Sequence, residues 1–203
     1  DGDNCMYKFS GASSIWSSLG DGDNALKWVN RSLDIFPRIG EIPKIPTCTP
    51  NTMYCERGNP TFESPISSSR AMLDMLIQSW GNVIRVFPAT PSSWKEASFY
   101  QLRAEGAFLV SAKRENGKTQ FIHVKSLAGE PCIIQSDLPA DVKVIGIASN
   151  RLQHKNGRII LDLKKGEEAI LYTGQKPPSF VVEALPMLKK DMNQWGLKRL
   201  AQH

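Results

Sequence analysis

"GNPTFESPISSSRAMLDMLIQSWGNVIRVFPATPSSW", residues 58–94, changes its period part-way along, and that change decides the fold. Ser64 suits an N-cap and Pro65 the first helical position, because proline lacks only an N–H that is unpaired there anyway. Met72, Leu73, Met75, Leu76 and Ile77 supply a buried helical face, and Trp80 with Gly81 predicts its end. From Asn82 the pattern is that of a strand: "VIRVFPA" is short and rich in branched residues, and "PSSW" turns the chain. A helix therefore runs straight into β-structure, with one carboxylate, Glu63, at its mouth.

Downstream, "FYQLRAEG", "AFLVSAKRENGKTQFIHVKS", "CIIQS", "VKVIGIAS", "LQHKNGRIILDL" and "EAILYTG" alternate or cluster in β fashion. Asn116-Gly117 and Asn156-Gly157 lie between such runs and predict tight hairpins, since both central residues of that turn need positive φ. Some eight short strands at this spacing predict an antiparallel sandwich, with Lys and Arg guarding its edges. After "QKPPS" a terminal helix is expected between Val181 and His203, packing through Leu188, Met192, Trp195 and Leu200.

Upstream, "MYKFSGASSIWSSLGDGDNALKWVNRSLDIF" predicts two helices joined by a tight turn. Met6, Phe9, Ile15, Trp16 and Leu19 lead to Gly20; Asp21 or Asp23 caps a second helix carrying Ala25, Leu26, Val29, Leu33 and Phe36, which Pro37 stops. Such a hairpin cannot bury its stripe alone and calls for further helices beside it. Residues 38–60, with "IPKIPTCTP", form an irregular loop of a length that more often serves a site than merely connects. The fold class is thus α+β: helices over 1–81, a β-sandwich over 82–175 and a tail over 176–203. The absence of βαβ alternation excludes a doubly wound sheet.

A chain of 203 residues with 41% hydrophobic and 22% charged residues has the makings of a core. Its net charge is +5. The basic residues are interspersed with acidic ones and no run resembles a recognition helix, which argues for a solvated surface and against a nucleic-acid partner. No apolar stretch approaches the roughly 20 residues of a bilayer span, so no membrane partner is expected. The chain starts at Asp1 inside a helical pattern, so it reads as a piece of a longer polypeptide. Cys5, Cys48, Cys55 and Cys132 have neither C-x-x-C spacing nor nearby histidines, so no metal site is expected. Cys48 and Cys55 either close a small disulfide loop or remain free thiols. No glycine-rich phosphate loop is present and no cofactor is expected.

The order of these pieces, "LGDGDNALKWV", a proline-rich loop, an acid-bearing loop, "MLIQSWGNVIRVFPATPSSW", then "LRAEGAFLVSAKRENGK", resembles the C-terminal end of glycoside hydrolase family 95, the α-L-fucosidases and their α-L-galactosidase relatives. The similarity extends from about Met6 to Tyr172 and is best from Glu63 to Gly106. It implies the last helices of an (α/α)6 barrel followed by a C-terminal β-domain. It also implies that Glu63 occupies the place of the family aspartate that helps activate the attacking water of an inverting hydrolysis. Arg57 and Thr61 fall where the family shows His and Gln, which makes them the candidate substrate-binding residues. The resemblance further implies a glycan substrate, an N-terminal remainder of the same protein that carries the catalytic acid, and export to the periplasm or outside the cell.

Physical chemistry is compatible with that role. A carboxylate beside a helix N-terminus is stabilised by about 0.3–1 kcal/mol when exposed, so it stays ionised and orients water without donating a proton. An inverting glycosidase needs a second carboxyl about 6.5–9.5 Å away, and no segment here matches one, so these residues alone are expected to be inactive. Glu63 is a methylene longer than the family aspartate, and Ser64-Pro65 replace the Gly-Asn after it; a misplacement of about 1 Å costs on the order of a hundredfold in rate. The competing reading is a non-catalytic carbohydrate-binding or structural relative in which Glu63 only stabilises a helix start. Trp16 and Trp80, both on apolar helical faces, are expected in the core in preference to stacking on sugar. His123 suits a surface or hydrogen-bonded position, and Ser67, Ser68 and Ser69 lack a nucleophile's His and Asp partners.

Overall fold

The computed structural model describes residues 6–33 and 63–179. The expected 38–60 loop, Cys5, Cys48, Cys55, Arg57, Thr61 and the terminal helix lie outside the described residues. Among the described residues three helices, α1 (Met6–Ser18), α2 (Gly22–Leu33) and α3 (Glu63–Leu76), precede ten strands. The strands are β1 (Ile77–Gln78), β2 (Ile84–Val86), β3 (Ala97–Ala104), β4 (Phe108–Glu115), β5 (Lys118–Ser126), β6 (Cys132–Gln135), β7 (Lys143–Ile145), β8 (Leu152–Lys155), β9 (Arg158–Leu161) and β10 (Glu168–Tyr172). They form two five-stranded sheets, in the orders β1-β2-β6-β9-β8 and β3-β4-β5-β10-β7.

The α1–α2 turn follows its sequence: Asp21 accepts the Asn24 N–H at 2.9 Å, capping α2, and this bond holds the Asp21 carboxyl below its ordinary pKa. Serine, not leucine, lines the helix contacts. Ser10, Ser13, Ser17, Ser32 and Ser68 are buried, and Ser13 Oγ donates to the Ala25 carbonyl at 2.8 Å while Ser10 Oγ donates to Ser67 Oγ at 2.7 Å. Small side chains, all but Ser17 with a hydrogen-bonded hydroxyl, bring the backbones close around Ala25, Val29, Ala71 and Met75. Ile15 and Leu19 of the expected stripe are 64% and 70% exposed, and Ile66 of α3 is uncovered as well.

Two expectations for α3 are corrected. The helix ends at Leu76 rather than at Trp80, because Ile77 and Gln78 pair with Val86 and Arg85 as the first strand of a sheet. Its buried side carries Ala71, Asp74 and Met75, whereas Met72 and Leu73 are 36% and 40% exposed. Met75 and Ile77 are buried as the periodicity predicts, while Met72 and Leu73 fall outside the buried stripe and Ala71 and Asp74 take their place. Helical structure begins at Glu63 itself, one residue before the expected cap.

The sandwich core unites both sheets through Val86, Phe99, Val110, Ile122, Ile134 and Leu171. Both predicted hairpins form, with Asn116 and Gly117 at φ 50° and 72° and Asn156 and Gly157 at 51° and 70°. The sheets are not wholly antiparallel: β2 pairs with β6 in parallel, Ile84 opposite Ile134 and Arg85 opposite Gln135. The chain leaves β2, builds β3–β5 in the opposite sheet and returns, a crossover long enough to bring β6 beside β2 in the same direction.

Candidate functional site

Glu63 opens α3 and is exposed. It lines none of the four clefts around Gly106, Ser17, Trp28 and Tyr172. Arg57 and Thr61, its proposed neighbours, fall outside the described residues. From Glu63 to Leu76 the helix spans about 20 Å, so its C-terminal end meets the sandwich far from this carboxylate. His123 lies on β5, half-buried, with Nε2 2.8 Å from Glu168 Oε2. Lys125 Nζ reaches the other Glu168 oxygen at 2.7 Å, and that bond chiefly lowers the Glu168 pKa. This is a satisfied surface network with no free nucleophile or base.

The other end of α3 is more elaborate. Trp80, expected in the core, is 53% exposed, in the loop between β1 and β2. Its Nε1 donates to Gln78 Oε1 at 3.1 Å. The Arg85 guanidinium lies 3.7 Å from its ring centroid, and Arg85 Nη1 donates to the Trp80 and Val83 carbonyls at 2.9 and 3.2 Å. Gln78 in turn donates to the Ser17 carbonyl at 2.9 Å, tying the sheet to α1. Beside this junction lies a cleft of about 260 Å³ lined by Ser17, Ser18, Gln78, Arg85, Gln135 and Ser136 among others, with no carboxylate. The Ser17 Oγ is buried without a hydrogen-bond partner. Sequence reasoning missed this site because Trp80 fits a helical apolar pattern; the Gly81-Asn82 pair after it was the available signal for a turn, and both take positive φ.

The stretches "LGDGD" and "FPATPSSW" meet in space. A side chain on Gly22 would place its Cβ 2.2 Å from the Ala89 carbonyl oxygen, and Asp23 Oδ1 accepts from Ser92 N and Oγ at 2.8 and 3.0 Å. Helix α2 is thereby docked on the entry to the sandwich. Residues 78–171, which include the Gln78–Trp80–Arg85 junction and all but the first residue and last residue of the two sheets, match the family model for the glycoside hydrolase family 95 C-terminal domain. The matched segment belongs to that family. Its sandwich is joined directly to α3, the order of elements that the family resemblance implied. Among curated proteins none matches the chain. Among solved structures, a family 39 glycoside hydrolase from the gut symbiont Bacteroides cellulosilyticus WH2 aligns over 64% of this chain at 16% identity, with a TM-score of 0.26. The chain spans 24% of that structure's length, and a likeness at this level bears on neither fold nor activity.

Among the described residues no group of His, Cys, Asp and Glu is placed to hold a metal ion, and no helix is long and apolar enough to cross a membrane.

Proposed function

We propose that this chain is the C-terminal portion of an inverting, α-L-fucosidase-like glycoside hydrolase, in which Glu63 helps orient the attacking water toward a terminal glycan residue. The match of residues 78–171 to the family 95 C-terminal domain carries the reading. The direct passage from α3 into the sandwich supports it, as do Ile15, Leu19 and Ile66, apolar side chains left open on the helices where further barrel helices would pack. On this reading the helices are the last of an (α/α)6 barrel. Glu63, exposed here, faces a pocket whose other walls, together with the catalytic acid, come from an N-terminal remainder. Arg57 and Thr61 contact the sugar, and the protein works in the periplasm or outside the cell.

The work of Glu63 is that of a base held ionised at a helix N-terminus. It accepts a hydrogen bond from water and leaves proton donation to the opposite carboxyl. The test is release of L-fucose from an α-L-fucoside. The polypeptide carrying the remainder should be active, its Glu63→Gln variant should lose at least a hundredfold in kcat with KM little changed, and the 203-residue chain alone should release nothing. Full activity of Glu63→Gln would establish the non-catalytic role for this carboxylate, and sugar release by the chain alone would overturn the divided site.

A further inference from the structure

The outer face of the first sheet carries a row of cations that the hydrolase reading does not use. Gln78 pairs with Arg85 across β1 and β2, Arg85 with Gln135 across β2 and β6, and Arg158 with Lys155 across β9 and β8. The β6–β9 ladder runs Ile133 to Ile160 and Ile134 to Ile159, so its next step sets Gln135 opposite Arg158. Paired residues share a face, and the alternate positions Ile77, Val86, Ile134 and Ile159 point into the core. Gln78, Arg85, Gln135, Arg158 and Lys155 therefore cross all five strands on the side away from the sandwich core, with Gln78 buried beneath α1 and the rest of the row uncovered by it.

Arg85, Arg158 and Lys155 make no ion pair among the described residues. Some other cations of the sandwich are paired, Arg114 with Asp137, Lys125 with Glu168 and Arg151 with Glu167, and others are not; what sets these three apart is that strand register places them in one line. Arg85 is moreover partly desolvated and close enough to Arg158 to feel its charge, and both effects lower its pKa. Three uncompensated cations in one line disfavour one another, and an anionic ligand relieves that. With strands about 4.8 Å apart, Arg85 and Arg158 are about 10 Å apart, and Lys155 lies about 5 Å further on.

At one end of the row stands the Trp80 ring, fixed by Gln78 and Arg85 and open over half its surface. The adjoining cleft offers hydroxyls and amides, and the buried, unpartnered Ser17 Oγ. An aromatic platform beside hydroxyl and amide groups suits a pyranose ring, whose C–H face is apolar and whose rim is polar. We propose that this face binds an acidic polysaccharide, with a sugar ring stacked on Trp80 and carboxylate or sulfate groups laid along Arg85, Arg158 and Lys155. A single-stranded nucleic acid fits less well, because such sites stack successive bases on several aromatic platforms and this row has one. The site is about a helix length from Glu63 and does not depend on that residue's role.

Affinity electrophoresis of the 203-residue chain tests it, with polygalacturonate as the carboxylated probe, heparin as the sulfated one, and dextran and oligo-dT as controls. Retardation by one or both acidic polysaccharides and not by dextran is expected, and the stronger of the two identifies the anionic group. Lys155→Gln with Arg158→Gln, both exposed and unpaired, should weaken binding at least tenfold without altering the fold. Trp80→Ala should also weaken it at least tenfold, with recovery in Trp80→Phe, which mere ion exchange would not show. Glu63→Gln should leave it unchanged, which separates this site from the hydrolase reading. Absence of retardation, equal binding of dextran, tighter binding of oligo-dT, or full affinity in Trp80→Ala would each overturn the proposal.

Discussion

The side-chain amide of Gln78 donates at once to the Ser17 carbonyl and to the Asp74 carbonyl, each at 2.9 Å, while its oxygen accepts from Trp80. One buried side chain thus joins α1, the last turn of α3 and the loop after β1. Gln78→Leu keeps the volume and removes all three bonds, leaving two carbonyls at the helix–sheet junction without their donor. A loss of about 1–3 kcal/mol in urea unfolding is expected. Loosening of Trp80 should accompany it as a red shift of fluorescence in the native state.

Gly22 sits where the Ala89 carbonyl presses on the start of α2. The obstacle is backbone, not a flexible side-chain end, since Thr90 C and Ala89 C lie 2.6 and 2.7 Å from an added Cβ. Gly22→Ala should destabilise by about 1–3 kcal/mol, the range of an overpacked core, despite alanine's better helix propensity. Thermal unfolding beside an Asn30→Ala control, exposed on the same helix, checks this.

Met75 is fully buried among Ala25, Val29 and Ala71. With such small neighbours the site cannot collapse onto a truncated side chain. Met75→Ala should cost about 2–5 kcal/mol, whereas Met72→Ala, on the exposed side of the same helix, should cost far less. Equal losses for the two would contradict the corrected buried side of α3.

Glu167 receives Arg151 Nη1 and Nη2 at 3.0 and 2.7 Å and the Lys164 N–H at 2.8 Å. The Arg151 bonds, before all else, hold its pKa down to about 2. A carboxylate depressed in the folded state stabilises above its unfolded pKa, and that contribution drains away as pH falls from about 4.5 toward 2. The native protein should therefore lose stability through this window. Glu167→Gln should be less stable at neutral pH and flatter in acid, measurable by urea midpoints at a series of pH values.

Burial pushes the Cys132 thiol up to about 12. Iodoacetamide at pH 8 should leave Cys132 unmodified in the native protein and label it in urea, as read by peptide mass mapping.

Much of the architecture was written in local chemistry. The Asn-Gly pairs demanded tight turns because those residues accept positive φ, and both turns formed. Asp21, one of the two caps that the sequence offered, capped α2, and the apolar runs between turns became strands. The motif order in residues 58–94 pointed to family 95, and the sandwich segment belongs there. Other features had no local signature. Whether Ile77 and Gln78 extend a helix or open a sheet depends on Val86 and Arg85, which return from the next turn to pair with them. The serine-lined helix contacts are equally hidden, because a buried serine differs from a surface one only in finding its partner across the interface.

The sequence by itself determined the passage from helices to strands, the hairpin turns and the family of the sandwich, since these rest on local patterns along the chain. Only the tertiary structure decided that Trp80 faces outward under Arg85 and that Arg85, Arg158 and Lys155 share one row. Those residues come from separate segments, and hydrogen-bonded strand register alone brings their side chains to the same face.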